Sequence, residues 1–376
     1  MRTGIPMSTV ATGWRQNALL TVREMAEADR LSVVAGVSSF ALMSNAGAAV
    51  AGEIARRWTP RPLVVLSGPG NNGGDGFVTA QRLAEAGWPV TLAMWGDPAA
   101  LKGEARQHAQ RWQGEVKALS PSVLEGAHLI VDALFGAGLS RVLEGPVLDT
   151  LAAAGRGHAP IIAIDTPSGV MGDTGVALGA VAAAVTVTFF RKKPGHLLSP
   201  GRTLCGEVIV ADIGTPDAVL DAIAPQAFEN HPALWMADLP RAGTEERALQ
   251  GHGVLIVHEA SLPRESGGMG DTLTLMRADA RRRSVVVVIQ GRDTVIAAPD
   301  GRAILHCPGP STLTGKGADG VLKAIIQRLL AQGMPGFSAA AAGGWLHGVA
   351  AAELGAGLRP TDVPRWLPGV LRRLYD

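Results

Sequence analysis

The feature that most constrains the fold is a regular alternation of short apolar runs with helical segments between residues 62 and 213. Residues 62–67 (PLVVLS) have a β-branched centre bounded by prolines and glycines, which predicts a buried strand. Further strands are predicted at 89–95, 128–134, 160–164, 185–190 and 207–213, with helices at 76–86, 99–112 and 145–154 after two helices between 20 and 57. This order is typical of an α/β fold with a parallel sheet covered on both faces.

The pattern changes after residue 222. Residues 222–233 are punctuated by prolines and are predicted to be a linker. Strands are predicted at 254–257, 284–289, 294–298 and 303–306, of which the last two flank the turn 299–301 (PDG) and indicate a hairpin. Helices are predicted at 318–332, 338–353 and 362–374.

Length and charge limit the possible functions. The 376 residues suggest two domains. The 34 basic and 33 acidic side chains give a net charge of +1, without the basic surplus of a nucleic-acid binder or a polybasic membrane surface. Cys205 and Cys307 lie outside any C-x-x-C pair, so neither a disulfide framework nor a zinc cluster is indicated. The first residues lack an apolar core of signal-peptide length, and the apolar stretch 337–358 is interpreted as a packed helix because it contains His347 and Glu353. We therefore expect a cytoplasmic protein that binds neither nucleic acid nor membrane.

A glycine-rich loop, residues 68–73 (GPGNNG), follows the first of these strands and satisfies G-x-G-x-x-G. With Asp97 after the next strand, where a ribose-binding acid would lie, it allows a dinucleotide-dependent dehydrogenase. Asn71, Asn72 and Asp75 crowd the same turn, however, and a carboxylate repels a pyrophosphate unless a cation lies between them. Oxygen donors of this kind suit an alkali or alkaline-earth ion. The alternative is that they cap a helix that begins near Gly76.

Two further strand ends carry aspartates. Asp132 ends one strand before a glycine turn, and Asp165 ends the next before the segment 166–169 (TPSG). Ligands of open α/β sheets bind outside the carboxyl ends of the strands, so these ends predict one binding site. Lys192 and Lys193, which follow another strand, could hold a phosphate or assist proton transfer, or could be a solvated surface pair.

Five ordered segments resemble NAD(P)H-hydrate epimerase, over roughly residues 18–218. They are 64–86 (VVLSGPGNNGGDGFVTAQRLAEA), 130–145 (IVDALFGAGLSRVLEG), 164–175 (IDTPSGVMGDTG), 193–198 (KPGHLL) and 204–216 (LCGEVIVADIGTP). The resemblance implies a Rossmann-like three-layer α/β/α sandwich. It also implies an enzyme that interconverts the R and S forms of NADHX and NADPHX, which are hydrated at C6 of the nicotinamide ring.

The resemblance also implies a set of site residues. Potassium ligands would be Asn72, Asp132 and Ser168. Asp165 would contact the substrate. We hypothesise that it acts as general acid/base at the C6 hydroxyl, so that water leaves, an iminium forms and water adds to the other face. Lys193 would position a phosphate or relay a proton. Substrate-binding segments would be Asn71, Asn72, Gly73, Gly74 and Asp75, together with Gly136, Ala137, Gly138, Leu139, Ser140, Arg141 and Val142.

The second half resembles part of an ADP-dependent NAD(P)H-hydrate dehydratase domain, which has a ribokinase-like fold. Residues 291–306 and 329–351 carry the similarity. The stretch 253–284 is too short for the full family sheet, Gln290 replaces a lysine of the family, and the segment 317–320 (GADG) displaces the carboxylate of a G-x-G-D loop by one position, about 100° around a helix. We therefore expect a partial ribokinase-like remnant without dehydratase activity, which would need ADP or ATP only if it were functional.

The predicted domains are residues 1–222 and 223–376. The second could cover the first, build the interface of a homo-oligomer, or keep weak nucleotide binding through residues 314–320. Three alternatives to a pure epimerase stay open: a bifunctional epimerase and dehydratase, a non-catalytic nucleotide-binding protein, and the dehydrogenase, which Asp75 in the loop disfavours.

Overall fold

The protein divides into two compact units in this computed structural model, which describes residues 13–240, 253–258, 272–291, 293–306, 318–354 and 362–375. One unit spans Leu20–Ala224, and the other combines Met1–Leu19 with Pro225–Asp376. The strand β1 (Ala18–Leu19) therefore belongs to the second unit, although the domain prediction from sequence counted these residues with the first.

The first unit contains one parallel sheet and the helices around it. In chain order its elements are α1 (Val22–Val34), α2 (Ser39–Arg57), β2 (Leu63–Ser67), α3 (Asn71–Glu85), β3 (Val90–Met94), α4 (Gly103–Ala109), β4 (Val116–Ala118), β5 (Leu129–Ala133), α5 (Gly145–Arg156), β6 (Ile161–Ile164), β7 (Val185–Phe189), α6 (Gly201–Leu204), β8 (Glu207–Ala211) and α7 (Val219–Ile223). The strand order is β4-β3-β2-β5-β6-β7-β8, and every neighbouring pair is parallel.

The alternation of side chains along β2 shows why the sheet needs a helix layer on each face. Leu63 and Val65 pack in one core with residues of α2 and α3, whereas Val64 and Leu66 pack in another with residues of α5. Successive side chains of a strand point to opposite faces, so a strand that is apolar throughout must be covered twice. The predicted three-layer α/β/α arrangement is confirmed.

The helix after the glycine-rich loop begins earlier than predicted. α3 starts at Asn71 rather than near Gly76, and its N-cap residue Gly70 makes no side-chain capping bond. The hypothesis that Asn72 and Asp75 merely cap a later helix is therefore wrong, because both lie inside the first two turns. Asp97, the candidate ribose acid, caps a short 3-10 turn by accepting a hydrogen bond from the Ala99 N–H at 2.9 Å.

The second unit has a mixed sheet. Its further elements are β9 (Ala227–Glu229), β10 (Val254–His258), α8 (Thr272–Arg283), β11 (Val286–Gln290), β12 (Thr294–Ala297), β13 (Ala303–His306), α9 (Ala318–Ala331), α10 (Gly336–Leu354) and α11 (Val363–Tyr375), in the sheet order β1-β9-β13-β12-β11-β10. The predicted hairpin is confirmed, since β12 and β13 pair antiparallel. The linker prediction is wrong at β9, which pairs with both β1 and β13.

Hydrophobic packing around α10 forms the core of the second unit. Ala339–342, Leu346 and Ala350 of this helix are buried together with Trp235. Of the helices in the described residues, none is by itself long and apolar enough to cross a membrane; α1 and α2, bent by 119°, pass that test only as a pair, on length and composition. Residues 314–317 of the predicted nucleotide segment lie outside the described residues.

Candidate active site

The first unit carries a cleft of about 920 Å³ beside the carboxyl ends of β2, β5 and β6. The chain runs outward from β2 to β3 and β4 on one side and from β5 to β6, β7 and β8 on the other. Loops diverge at such a switch point, so ligands of open α/β sheets bind there. Of the sequence-predicted site residues, those that line the cleft are Asn71, Asn72, Asp75, Gly136, Ala137, Gly138, Leu139, Ser140, Arg141, Asp165 and Lys193.

The remaining predicted residues are placed differently. Gly73 and Gly74 do not line the cleft, and a Cβ on them would lie 1.9 Å from the Gly68 carbonyl oxygen and 2.6 Å from the Met43 sulfur, respectively. These two glycines therefore allow α3 to pack closely on its neighbours. Val142 is 59% exposed and also lies outside the lining.

Asp132 and Ser168 form a buried cluster at the ends of β5 and β6. The Ser168 hydroxyl donates to Asp132 Oδ1 at 2.6 Å, and the Ser168 N–H donates to Oδ2 at 2.8 Å. The Phe135 N–H donates to the Ser168 hydroxyl oxygen at 2.8 Å, which ties the loop after β5 to the same point. Burial raises the pKa of Asp132, and the hydrogen bonds from Ser168 and Leu134 oppose that rise. Among the described residues, no cationic side chain pairs with this carboxylate.

Asn72 lies beside the loop after β5. A Cβ on Gly136 would be 3.1 Å from Asn72 Oδ1 and 3.0 Å from Asp165 Oδ2, so both oxygens converge on one point. Asn72 Nδ2 is buried without a hydrogen-bond partner in the part of the chain described.

The donor atoms at this site indicate which kind of metal ion it could hold. Within the described residues, no group of three or more His, Cys, Asp and Glu side chains could bind a metal ion. Asn72, Asp132 and Ser168 instead offer amide, carboxylate and hydroxyl oxygens, the donor type that hard cations prefer. The buried Asp132 carboxylate, which has no cationic partner within the described residues, and the amide oxygen of Asn72 fit a monovalent cation such as potassium.

Asp165 and Lys193 form the charged centre of the cleft. Lys193 is 3% exposed, and its Nζ donates to Asp165 Oδ1 at 2.5 Å and to the Thr188 hydroxyl at 2.9 Å. The Thr188 hydroxyl donates to the same Asp165 oxygen at 3.0 Å, and the Ala137 N–H donates to Oδ2 at 3.0 Å. Burial by itself would raise the pKa of Asp165, but the charge of Lys193 and these hydrogen bonds outweigh it and lower the pKa to about 2. Asp165 is therefore a carboxylate at neutral pH.

Asp75 is the opposite case in the same cleft. It is 9% exposed, and no hydrogen bond or ion pair to its carboxyl group exists within the described residues. Burial, followed by the negative charges of Asp165 and Asp29, holds its pKa well above the usual range. Asp75 therefore keeps its proton to a higher pH than an ordinary Asp, whereas Asp165 ionises at a lower pH, so two carboxyl groups with opposite pKa shifts share one cleft.

Three residues close to Asp165 and Lys193 were not predicted from the sequence. Asp29 of α1 lines the mouth of the cleft, Thr188 of β7 bonds to Asp165, and His196 bonds to the backbone of Asp165. His196 stands in the motif KPGHLL, so its place beside Lys193 was a usable signal. Asp29 and Thr188 have no such signal, because a single Asp in a helix and a single Thr in a strand are ordinary surface and core residues.

Comparison with known proteins gives two family matches. Residues 39–195 match the family described as YjeF-related protein N-terminus, and residues 271–364 match NAD(P)H-hydrate dehydratase. A protein of Rhodobacter capsulatus named NAD(P)H-hydrate epimerase is 42% identical over 195 residues, which cover 47% of this chain and 91% of that protein.

Longer relatives also match. A protein of Coxiella burnetii named bifunctional NAD(P)H-hydrate repair enzyme Nnr is 33% identical over 301 residues, which cover 77% of this chain and 58% of that protein. Among solved structures, the yeast protein ynu0 is 24% identical, with a TM-score of 0.42 over 47% of this chain and 82% of that one. Because a dehydratase domain is detected in the second half, the expected loss of dehydratase activity stays a prediction.

Proposed function

Because this chain belongs to the NAD(P)H-hydrate epimerase family, we propose that the cleft of its first unit interconverts the R and S forms of NADHX and NADPHX. The observation that supports this most strongly is that the pKa values of Asp75 and Asp165 shift in opposite directions within one cleft. Inversion at C6 needs a proton for the departing hydroxyl and negative charge beside the cation that forms. A pair of carboxyl groups whose environments push their pKa values apart can supply both.

Asp75 would carry the proton. It donates to the C6 hydroxyl, the C6–O bond breaks with loss of water, and the lone pair of the ring nitrogen forms the C=N bond of a planar iminium. Water then adds to the opposite face and releases one proton, which balances the proton that Asp75 gave. General acid catalysis of this kind contributes about 10²–10⁴-fold.

Asp165 would act as a carboxylate. With a pKa of about 2 it cannot protonate the leaving hydroxyl, so the acid role expected from sequence passes to Asp75. Its negative charge would stabilise the iminium, as preorganised charges do at developing charge of opposite sign. Lys193 would hold Asp165 ionised and in place through the 2.5 Å bond to Oδ1.

Potassium is the cofactor that we propose. Asn72, Asp132 and Ser168 would hold it, and when bound it would supply positive charge next to the buried Asp132 carboxylate. The hydrogen bonds from Ser168 to Asp132 and from the Phe135 N–H to Ser168 keep these donors and the substrate loop in one arrangement.

The test is a coupled assay. R-NADHX is supplied with an excess of a separate S-specific dehydratase, so that its consumption reports epimerisation. We expect the full chain to accelerate consumption, more in potassium than in sodium at equal ionic strength. Asp75→Asn should lower kcat by about 10²–10⁴-fold without loss of thermal stability, since the amide resembles the neutral acid. If the full chain leaves R-NADHX consumption at the uncatalysed rate in potassium, the proposed function is wrong.

A second candidate activity is dehydration of NAD(P)HX by the second unit, and the match of residues 271–364 to NAD(P)H-hydrate dehydratase favours it. The departures at Gln290 and at 317–320 argue against it. Omitting the separate dehydratase and adding ADP or ATP decides between them: formation of NADH from S-NADHX would establish a bifunctional enzyme.

A further inference from the structure

We infer that His196 is a positioning residue, whose ring bridges the backbones of Asp165 and Lys193 and so sets the geometry of this ion pair. The inference deepens the proposed epimerase function and rests on it for its kinetic test. His196 touches neither the cleft nor the reacting atoms, and its effect would reach the reaction only through the pair.

The hydrogen bonds of His196 fix its tautomer. Its Nδ1 lies 2.9 Å from the backbone nitrogen of Lys193, and its Nε2 lies 2.8 Å from the carbonyl oxygen of Asp165. A backbone N–H can only donate, so Nδ1 must accept. A carbonyl oxygen can only accept, so Nε2 must carry the proton and donate. Both contacts exist together only in the neutral ring with hydrogen on Nε2.

The two hydrogen bonds of His196 restrain the backbone at Asp165 and at Lys193. Asp165 leaves β6 with φ of 65°, a left-handed conformation that residues with a Cβ rarely adopt. This turn brings its Oδ1 to Lys193 and its Oδ2 to the Ala137 N–H. The bond from Nε2 to the Asp165 carbonyl restrains that peptide. The bond to the Lys193 N–H fixes the start of the 3-10 turn Pro194–His196.

Burial, together with the charge of Lys193, keeps the ring of His196 neutral. His196 is 3% exposed, and burial followed by the charge of Lys193 lowers its pKa to about 4, with Lys192 acting in the same direction and Asp165 opposing. A protonated ring would carry hydrogen on Nδ1, directed at the Lys193 N–H, and the bridge would break. Above about pH 4 the ring is therefore neutral while Asp165 is ionised, so the bridge and the ion pair exist together.

Two variants separate positioning from packing. His196→Phe keeps the ring volume and removes both polar contacts. His196→Gln restores an N–H donor that can reach the Asp165 carbonyl. We expect His196→Phe to lower kcat by about 100-fold, the scale of a 1 Å misplacement, with little change in KM, and His196→Gln to recover much of the loss.

A matched control exists in the same unit. His108 is also 3% exposed, and its ring stacks on Phe40 at 4.1 Å, but it does not line the cleft and bonds to neither Asp165 nor Lys193. His108→Phe should reduce thermal stability and leave kcat unchanged. If the two variants have similar thermal stability but His196→Phe loses more kcat than His108→Phe, the extra loss supports a positioning role and not a packing role.

Ring ¹⁵N NMR of the full chain gives a readout that does not depend on activity. We expect His196 to show the Nε2–H tautomer without titration between pH 5 and pH 8, consistent with its pKa of about 4. A Nδ1–H tautomer, or wild-type kcat in His196→Phe, would overturn the inference. Absence of epimerase activity in the wild-type chain together with the Nε2–H tautomer would instead refute the proposed function and leave the bridge standing.

Discussion

Gly136→Ala is the sharpest test of the cleft, because the added methyl would fall between two site oxygens. Its Cβ would lie 3.0 Å from Asp165 Oδ2 and 3.1 Å from Asn72 Oδ1. Relaxed carbon–oxygen contacts are about 3.3–3.6 Å, so the oxygens must retreat by about 0.2–0.6 Å. Functional groups need to be held within about 0.5 Å of their productive geometry. We therefore expect kcat to fall by about 10- to 100-fold.

This variant should remain folded, because native domains have about 5–15 kcal/mol of free energy of unfolding. Overpacking costs about 1–3 kcal/mol, and replacing Gly by Ala returns about 0.4–1 kcal/mol through the unfolded chain where the backbone allows it. The net loss of free energy of unfolding should thus be at most about 2.6 kcal/mol, which a thermal melt can measure.

Gly138→Ala is the matched control in the same loop. Its Cβ would meet only Val22 Cγ1 at 3.7 Å, an ordinary van der Waals distance. In the coupled R-NADHX assay its kcat should fall less than that of Gly136→Ala, because Gly138 also lines the cleft but its added methyl displaces no site oxygen. Equal loss in both variants would mean that the loop needs glycine flexibility and not the space beside Asp165. Full activity of Gly136→Ala would refute the role of the converging oxygens.

Three other perturbations test the surrounding structure. Lys193→Met leaves Asp165 buried without its cation and should lower the free energy of unfolding by about 3–5 kcal/mol. Because the pKa of Asp165 is depressed to about 2, the ion pair stabilises the wild-type protein fully above about pH 4. The difference in stability between variant and wild type should therefore fade as the pH falls toward about 2. The pKa of His196 is also depressed, to about 4 from 6.5. The free energy of unfolding should therefore fall by about 3 kcal/mol as the pH falls from about 6.5 to 4. In pH-dependent thermal melts, His196→Phe should flatten this slope. Gly68→Ala should prevent folding of the first unit, since its Cβ would lie 1.7 Å from the Leu134 carbonyl oxygen, and circular dichroism would show this.

The sequence predicted the sheet and the location of the site because both depend on short-range patterns. Apolar runs bounded by Gly and Pro identified the strands, and Asp132 and Asp165 follow two of them directly. The start of α3 was missed because Asn71, Asn72 and Gly73 are weak helix formers. The first turn instead packs closely on other parts of the chain, Gly73 on Gly68 and Gly74 on Met43, which is distant in sequence. β9 was missed for a similar reason, since a strand of three residues exists only through pairing with β1 and β13.

The protonation states could not be predicted in this way. Asp132 and Asp165 both lie at the carboxyl ends of neighbouring strands, with Asp132 paired opposite Ala163, two residues before Asp165. Burial by itself would raise the pKa of both carboxyl groups. Their pKa values nevertheless shift in opposite directions, because Lys193 reaches Asp165 from 28 residues away and, within the described residues, no cation reaches Asp132. The same sequence signal therefore produces two chemically different groups: a carboxylate already neutralised by a lysine, and one whose charge would favour a bound cation. Exchanging potassium for sodium should then act on the Asp132 cluster and leave the Asp165–Lys193 pair intact, which ¹⁵N NMR of Lys193 Nζ in both salts can establish.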